Sequence, residues 1–146
     1  MKNTGLIDTS QFTKIDRGSD LKSKHFPVPF WVESVVCASI PYDERRGTKL
    51  LPSKIDIYAH LIQLGYDYYH GSTVPEIPEP DFHLHSHTHD VLWIPAALNE
   101  QIKTMNQLLN VKRKESGLRH HRSVEPLFCA LILQGTRVAQ QTPPAI

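Results

Sequence analysis

The sequence has no apolar run near the roughly 20 residues needed to cross a bilayer. Its first residues are polar and lack the apolar core of a secretory signal peptide. Net charge is also small, +1 at pH 7 with histidine neutral, which argues against a strong overall attraction to nucleic acid or membranes. We therefore expect a cytoplasmic protein with no membrane partner, which meets any nucleic acid through a local patch.

Cysteine and glycine are scarce. The two cysteines, Cys37 and Cys129, stand far apart in apolar segments and form no CxxC pair. We expect free thiols in the core, although a single bridge between them is compatible with the sequence. The 7 glycines are outnumbered by 11 prolines, which predicts many extended connections and well-defined ends of elements.

What is present describes an ordinary globular domain. With 146 residues, 40% of them hydrophobic and 21% charged, the chain is long enough for one core. We predict a small single α+β domain over residues 25–138, in which a short sheet is covered by two or three helices. A flexible N-terminal arm is predicted over 1–24 and a disordered tail over 139–146.

Two segments predict the strands of this sheet. Residues 32–40 are rich in β-branched side chains and end at Pro41, as a strand would. The second strand is predicted over 82–89, where histidines alternate with other residues.

Apolar residues at helical spacing predict the helices. One is expected over 54–64 with Gly65 as its stop, and another over 95–111. The last apolar segment fits either a central strand or a helix. Cap and stop residues, with Gly135 as the stop, favour a helix over 124–134.

The most concentrated chemistry is a set of histidines at every second position, His83, His85, His87 and His89, followed by Asp90. In a strand, side chains two residues apart share a face and their Cα atoms lie about 7 Å apart. Two such imidazoles can hold one ion, whereas the outer members, about 20 Å apart, cannot share it. We predict a site for a divalent metal, zinc or manganese, with Asp90 assisting catalysis.

Since a strand supplies two ligands per ion, a further ligand must come from another segment. The remaining histidines of the stretch would then orient the ligands or bind a second ion. If the histidines only contact water, the stretch is a half-exposed strand without a metal. The candidates for the further ligand are Glu33, His60, His70, His120 and His121.

A local basic patch lies between residues 112 and 122 on an otherwise nearly neutral chain. The phosphate backbone of nucleic acid is the natural partner of such a patch. A solvated connection between helices explains the same charges equally well. The cations of the patch are Lys112, Arg113, Lys114, Arg119 and Arg122.

The segment Asp81-Phe82-His83-Leu84-His85-Ser86, with Asp90 after it, resembles the first metal motif of the PHP-type phosphoesterases. That family hydrolyses phosphoesters with two or three metals in a seven-stranded barrel, so the resemblance implies a metal that acts on a phosphoester. The match covers ten residues, and too few residues follow Asp90 to build the barrel. The later ligand motifs of the family are missing.

His83-Leu84-His85 is similar to the His-hydrophobic-His core of the HUH-type single-strand nicking enzymes. In those enzymes two strand histidines hold a divalent cation and a helical tyrosine attacks the DNA phosphate. The resemblance implies a tyrosine nucleophile in or after the first predicted helix. Ser86 and Thr88 depart from the apolar back face of that motif. The candidate tyrosines are Tyr58, Tyr66, Tyr68 and Tyr69.

These patterns predict a metal-binding protein, and within that class a metal-dependent phosphodiesterase or nuclease that acts on nucleic acid. The alternative is a non-enzymatic binding or inhibitor/accessory module, of the type that mobile elements or phages carry, gripping a protein or nucleic-acid partner. A Ser-His-Asp hydrolase has no support, because the chain has no Gly-x-Ser-x-Gly elbow.

Overall fold

The computed structural model describes residues 6–7, 12, 21–40, 54–70, 87–115, 117 and 124–141, with the backbone alone for 21–27, 29–30 and 87–92. Four helices account for most of this part of the chain, and two strands pair into one antiparallel ribbon. The predicted α+β class, a sheet covered by helices, is therefore wrong, because the fold is mainly helical. The elements are β1 (Leu21–Pro29), α1 (Phe30–Ser39), α2 (Lys54–His70), β2 (His87–Pro95), α3 (Ala96–Glu115) and α4 (Glu125–Gln141).

The predicted strand over 32–40 is also wrong, since residues 30–39 form α1. Val32, Val36 and Ile40 are buried, whereas Ser34 and Ala38 are exposed. A strand would place all five on one face, while burial at every fourth residue is the pattern of a helix. Burial of this stripe outweighs the strand propensity of the β-branched residues, which is a weak preference.

The second predicted strand lies in the right region with the wrong bounds. It was expected over 82–89, and β2 runs from His87 to Pro95. Residues 82–86 lie outside the described residues. α3 begins directly after Pro95, so the apolar segment before that proline belongs to the strand.

All three predicted helices are confirmed, including the ambiguous last one, but α2 and α4 continue well past their predicted ends. Gly65 and Gly135, predicted as stops, lie inside these helices. An ideal Cβ on Gly65 would overlap the carbonyl oxygen of Leu131 and lie 2.9 Å from its Cα, and one on Gly135 would overlap the carbonyl oxygen of Leu61. The reversed residue order of these contacts means that the two helices cross antiparallel, backbone against backbone.

The core lies between α2, α4, α1 and one face of the ribbon. Its middle is formed by aliphatic and aromatic side chains with almost no exposure, namely Ile57, Leu61, Ile62, Phe128, Leu131, Ile132, Val28 and Ile94. Cys129 is buried among them and Cys37 is half-buried, and both are free thiols as expected. Burial raises the pKa of the Cys129 thiol to about 12.

Residues before β1 also contact the core. Ile7 and Phe12 are buried, and the Ile7 backbone N–H donates to Ser39 Oγ at 2.8 Å. The Ser39 hydroxyl in turn donates to the Val35 carbonyl oxygen at 2.7 Å. Both buried residues belong to the predicted arm over 1–24, and the flexibility of that arm stays a prediction.

The helices described here include none that is both long enough and apolar enough to cross a membrane.

The glycine crossing predicts that Gly65→Ala and Gly135→Ala each destabilise the fold. A Cβ at either position meets a backbone carbonyl that cannot rotate away, and overpacking of this kind costs about 1–3 kcal/mol. Denaturant unfolding followed by circular dichroism measures the change. Gln101→Ala, at an exposed position of α3, is the matched control and should change stability by less than about 0.5 kcal/mol. Since alanine is the better helix former by about 1 kcal/mol, a stability gain in either glycine variant would contradict the close crossing.

The buried thiol predicts selective reactivity. In the native protein, iodoacetamide at pH 8 should alkylate the half-buried Cys37 and leave Cys129 unmodified until denaturant is added, because the thiolate is the reactive species. The pKa of the Cys129 thiol rises from 9.0 in the unfolded chain to about 12 in the folded protein. Its contribution to the free energy of unfolding is therefore fully present below pH 9 and is lost as the pH rises towards 12. Mass spectrometry of the alkylated peptides measures the extent of labelling at each cysteine. Labelling of Cys129 in the native protein at the rate of Cys37 would contradict the predicted protection of Cys129.

Candidate functional site

The last part of the histidine stretch, from His87 to Asp90, lies in strand β2 of the ribbon. β1 and β2 pair antiparallel over nine residues each, with Leu21 opposite Pro95 at one end and Pro29 opposite His87 at the other. Pro27 and Pro29 keep β1 extended, because proline fixes φ and pushes its predecessor out of the helical region. The ribbon packs against α2 and α4, so one of its faces belongs to the core.

Burial identifies which face that is. Val28 and Ile94 are 0% and 1% exposed, whereas Trp93 is 41% exposed. Residues opposite each other in an antiparallel pair share a face, and alternate residues of a strand share a face. Since Val28 pairs with Thr88, the even positions of β2 form the core face. The odd positions, 87, 89, 91, 93 and 95, form the other face, which we call the outer face.

The predicted metal ligands divide between this face and the undescribed chain. His87 and His89 occupy odd positions of β2, so they share the outer face with Trp93. His83 and His85 lie outside the described residues. Asp90 occupies an even position opposite Phe26, so the register places it on the other face from His87 and His89.

The candidates for a further ligand do not lie in the ribbon. Glu33 in α1 forms an ion pair with Lys54, 3.6 Å from Nζ to the carboxylate. His60 stacks on Phe12 and His70 on Tyr66, with ring centroids 5.3 and 5.2 Å apart. His120 and His121 fall outside the described residues. Among the side chains that the structure describes, no three of histidine, cysteine, aspartate and glutamate are grouped to hold a metal.

The ribbon instead brings in a histidine that sequence reasoning missed. His25 lies in β1 directly opposite Val91, and Pro27 lies opposite His89. Its pairing partner is about 65 residues away along the chain, so the pairing leaves no local signal in the sequence.

Tyr58, the predicted nucleophile, is part of the core. Its side chain is fully buried in α2, and Lys54 Nζ lies 5.9 Å from the ring centroid. A phenol in this position cannot reach a phosphate of a nucleic-acid chain. Tyr66 is buried as well, and burial followed by the charge of Asp67 raises the pKa of its hydroxyl.

The basic patch is described only in part. The last turn of α3 contains Lys112, Arg113 and Lys114. Positive charges at this end of a helix interact favourably with the helix dipole. Lys112 and Lys114 are exposed, while Arg113 Nη1 donates to Asn110 Oδ1 at 2.9 Å. Arg119 and Arg122 lie outside the described residues. This turn is roughly 24 Å along the helix from the end of β2, at 1.5 Å per residue.

A second surface joins the first turn of α1 to the last turn of α2 and to Arg137 of α4. The Arg137 guanidinium lies 5.8 Å from the ring centroid of Trp31, which is 43% exposed. Tyr68, 53% exposed, meets Tyr69 edge to face with centroids 5.2 Å apart. We call these four residues the aromatic–arginine surface. In the sequence, Tyr68 and Tyr69 stood out as candidate nucleophiles.

Tyr69 connects the two halves of this surface electrostatically. Burial and the neighbouring Tyr68 raise the pKa of the Tyr69 hydroxyl, and the positive charge of Arg137 opposes them. The hydroxyl therefore stays protonated and can donate a hydrogen bond. Arg137 forms no ion pair within the described part of the chain, so its guanidinium can receive an anionic group.

No protein-family model, curated protein or solved structure matches this chain.

Proposed function

We propose that the chain binds a divalent metal ion through His87 and His89. The observation that carries the proposal is the register of the ribbon. The two histidines occupy the face that includes half-exposed Trp93, opposite the face that includes Val28 and Ile94 of the core. Paired imidazoles at this spacing on one strand suit a metal ion.

Zinc fits this face better than manganese. Neutral imidazole nitrogen suits zinc, nickel and copper, whereas manganese needs carboxylate or other oxygen ligands. Asp90, the nearest carboxylate in sequence, lies on the opposite face by register. This placement removes the main reason for expecting manganese.

The reaction proposed for the metal is hydrolysis of a phosphodiester. A bound zinc ion polarises a phosphoryl oxygen and lowers the pKa of a bound water. Because Tyr58 is buried, we assign the nucleophile to a metal-bound water instead of to that tyrosine. The exposed Lys112 and Lys114 at the end of α3 are available for phosphate contacts of a polymeric substrate.

Metal analysis tests this proposal directly. Untagged protein, dialysed against zinc and then against buffer, should retain about one zinc ion per chain. The two histidines supply two of the four positions of a tetrahedral zinc ion, and other ligands fill the remaining two. The double variant His87→Ala/His89→Ala should retain none, and it should lose any hydrolysis of a fluorescent single-stranded DNA substrate. His70→Ala changes an exposed histidine of α2 and is the control. Equal zinc retention by the double variant and by wild type would contradict the proposal.

A second function is favoured by the aromatic–arginine surface. Tryptophan, tyrosine and arginine are the residues most enriched where binding energy is concentrated in protein interfaces. Here a half-exposed Trp31, an exposed Tyr68 and an Arg137 without an ion pair in the described chain form one surface. We propose that it binds an acidic segment of a partner protein, with a carboxylate on Arg137 and an apolar group on the rings. A single cation is too little for the several phosphates of a nucleic-acid strand.

The partner proposal is tested with an array of immobilised acidic peptides that contain apolar residues. Wild-type protein should bind a subset of these peptides, and Trp31→Ala and Arg137→Gln should each weaken binding by at least about tenfold, the effect of losing one anchor of an interface. Trp93→Ala and Arg113→Gln are the matched controls, because they change a half-exposed tryptophan and an arginine elsewhere. Binding to a single-stranded oligonucleotide with no binding to any acidic peptide would overturn this proposal.

A further inference from the structure

The N-terminal residues that contact the core are held differently from the rest of it. Ile7 and Phe12 are 4% and 7% exposed, yet neither belongs to a helix or a strand. We propose that these two residues occupy a docking groove between the end of α1 and the first half of α2, and that the same segment supplied as a separate peptide can replace them. This proposal depends on neither of the two proposed functions.

The last turn of α1 binds the backbone of the N-terminal segment. The Ile7 backbone N–H donates to Ser39 Oγ at 2.8 Å, and the Ser39 hydroxyl donates to the Val35 carbonyl oxygen at 2.7 Å. Because the hydroxyl proton is used within α1, the lone pairs of the oxygen are left for a donor outside the helix. In peptide recognition, such main-chain hydrogen bonds supply affinity and side-chain pockets supply specificity.

α2 supplies the contact for the aromatic residue of the segment. The His60 imidazole stacks on the Phe12 ring, with centroids 5.3 Å apart and planes inclined by 16°. A stacked arrangement at this distance is favourable for two flat rings. The groove therefore selects an aromatic side chain beside His60 and a branched aliphatic residue beside Ser39.

The sequence around these two anchors has the pattern of a docked segment. The residues between them, Asp8-Thr9-Ser10-Gln11, are all polar, and the anchors are five positions apart. That spacing matches neither the three or four of a buried helical face nor the two of a strand face. At most about 18 Å of extended chain joins the anchors, so a peptide of about a dozen residues is long enough for both. A competing partner needs the same two anchors at this spacing.

The walls of the groove are joined by contacts that do not involve the segment. Glu33 of α1 and Lys54 of α2 form an ion pair at 3.6 Å, and Val32 and Val36 of α1 are fully buried. The segment can therefore open locally while the helices stay packed. Since a tethered segment has an effective concentration on the order of millimolar, it excludes a free peptide from the groove of the wild-type protein.

Peptide binding to full-length chains tests the proposal. The probe is a fluorescently labelled peptide of residues 4–15, and fluorescence anisotropy measures its binding. The full-length variant Ile7→Ala/Phe12→Ala, which we call the emptied variant, should bind the probe at least about tenfold more tightly than wild type, because the tethered competitor is removed. Leu6→Ala changes a 41% exposed apolar neighbour and should bind the probe as weakly as wild type. A probe carrying both alanine substitutions should bind neither protein.

A substitution in the groove tests the α1 wall. Adding Ser39→Ala to the emptied variant should weaken probe binding roughly 2–10-fold, the effect of losing one hydrogen bond. Adding Ser34→Ala, which changes an exposed serine of the same helix, should leave probe binding unchanged. Equal probe binding by wild type and the emptied variant would overturn the proposal.

Native-state hydrogen exchange tests the wild-type protein without any substitution. The Ile7 amide should exchange at least about tenfold faster than the amides of buried Leu61 and Leu131, because local opening is enough to expose it. Exchange of Ile7 at the rate of those two amides would show that the segment leaves only when the whole protein unfolds, which overturns the proposal. Loss of the helical circular dichroism of the emptied variant would overturn it for the same reason.

Discussion

The close crossing of α2 and α4 is the contact on which the rest of the structure depends. Gly65 and Gly135 let the backbone of each helix reach a carbonyl oxygen of the other, so no side chain separates the helices at the crossing. The largest buried aliphatic residues of both helices then pack around this point, among them Leu61 and Leu131. The ribbon lies against the same pair of helices. A crossing widened by one methyl group would shift the surface on which the ribbon rests, because packed interiors transmit such changes.

The ribbon's two faces acquire different roles from this packing. Val28 and Ile94 fix the core face against the helices, and a slip of one residue in the pairing would bury the outer face instead. The same register that the core demands therefore also determines where His25 and His89 lie relative to each other. In this fold the chemistry of the outer face is a consequence of hydrophobic burial on the other face.

Local pattern was enough to predict part of this fold. α2 and α3 followed from apolar periodicity and α4 from its cap and stop residues, and the placing of His87 and His89 on one strand face followed from the geometry of an extended chain. Three features depend on contacts between distant segments and could not be predicted. Gly65 was predicted to end α2 but lies inside it, where it allows the close crossing with α4. Residues 32–40 have strand propensity, but residues 30–39 form a helix whose apolar stripe is buried. His25 pairs with a residue about 65 positions away along the chain. In the first two cases tertiary packing outweighs a local preference of about 1 kcal/mol or less, and in the third the local sequence carries no information about the pairing partner.

The two surfaces meet at the junction of β1 and α1. Pro29 ends β1 opposite His87, and Trp31 follows two residues later in the first turn of α1. Val32 and Val36, in the same helix as Trp31, are buried in the core. A partner held on Trp31 and Arg137 would therefore lie beside the His87 end of the outer face. The two proposed functions are compatible for this reason, since one bound chain could contact the aromatic–arginine surface and present a neighbouring group to the metal.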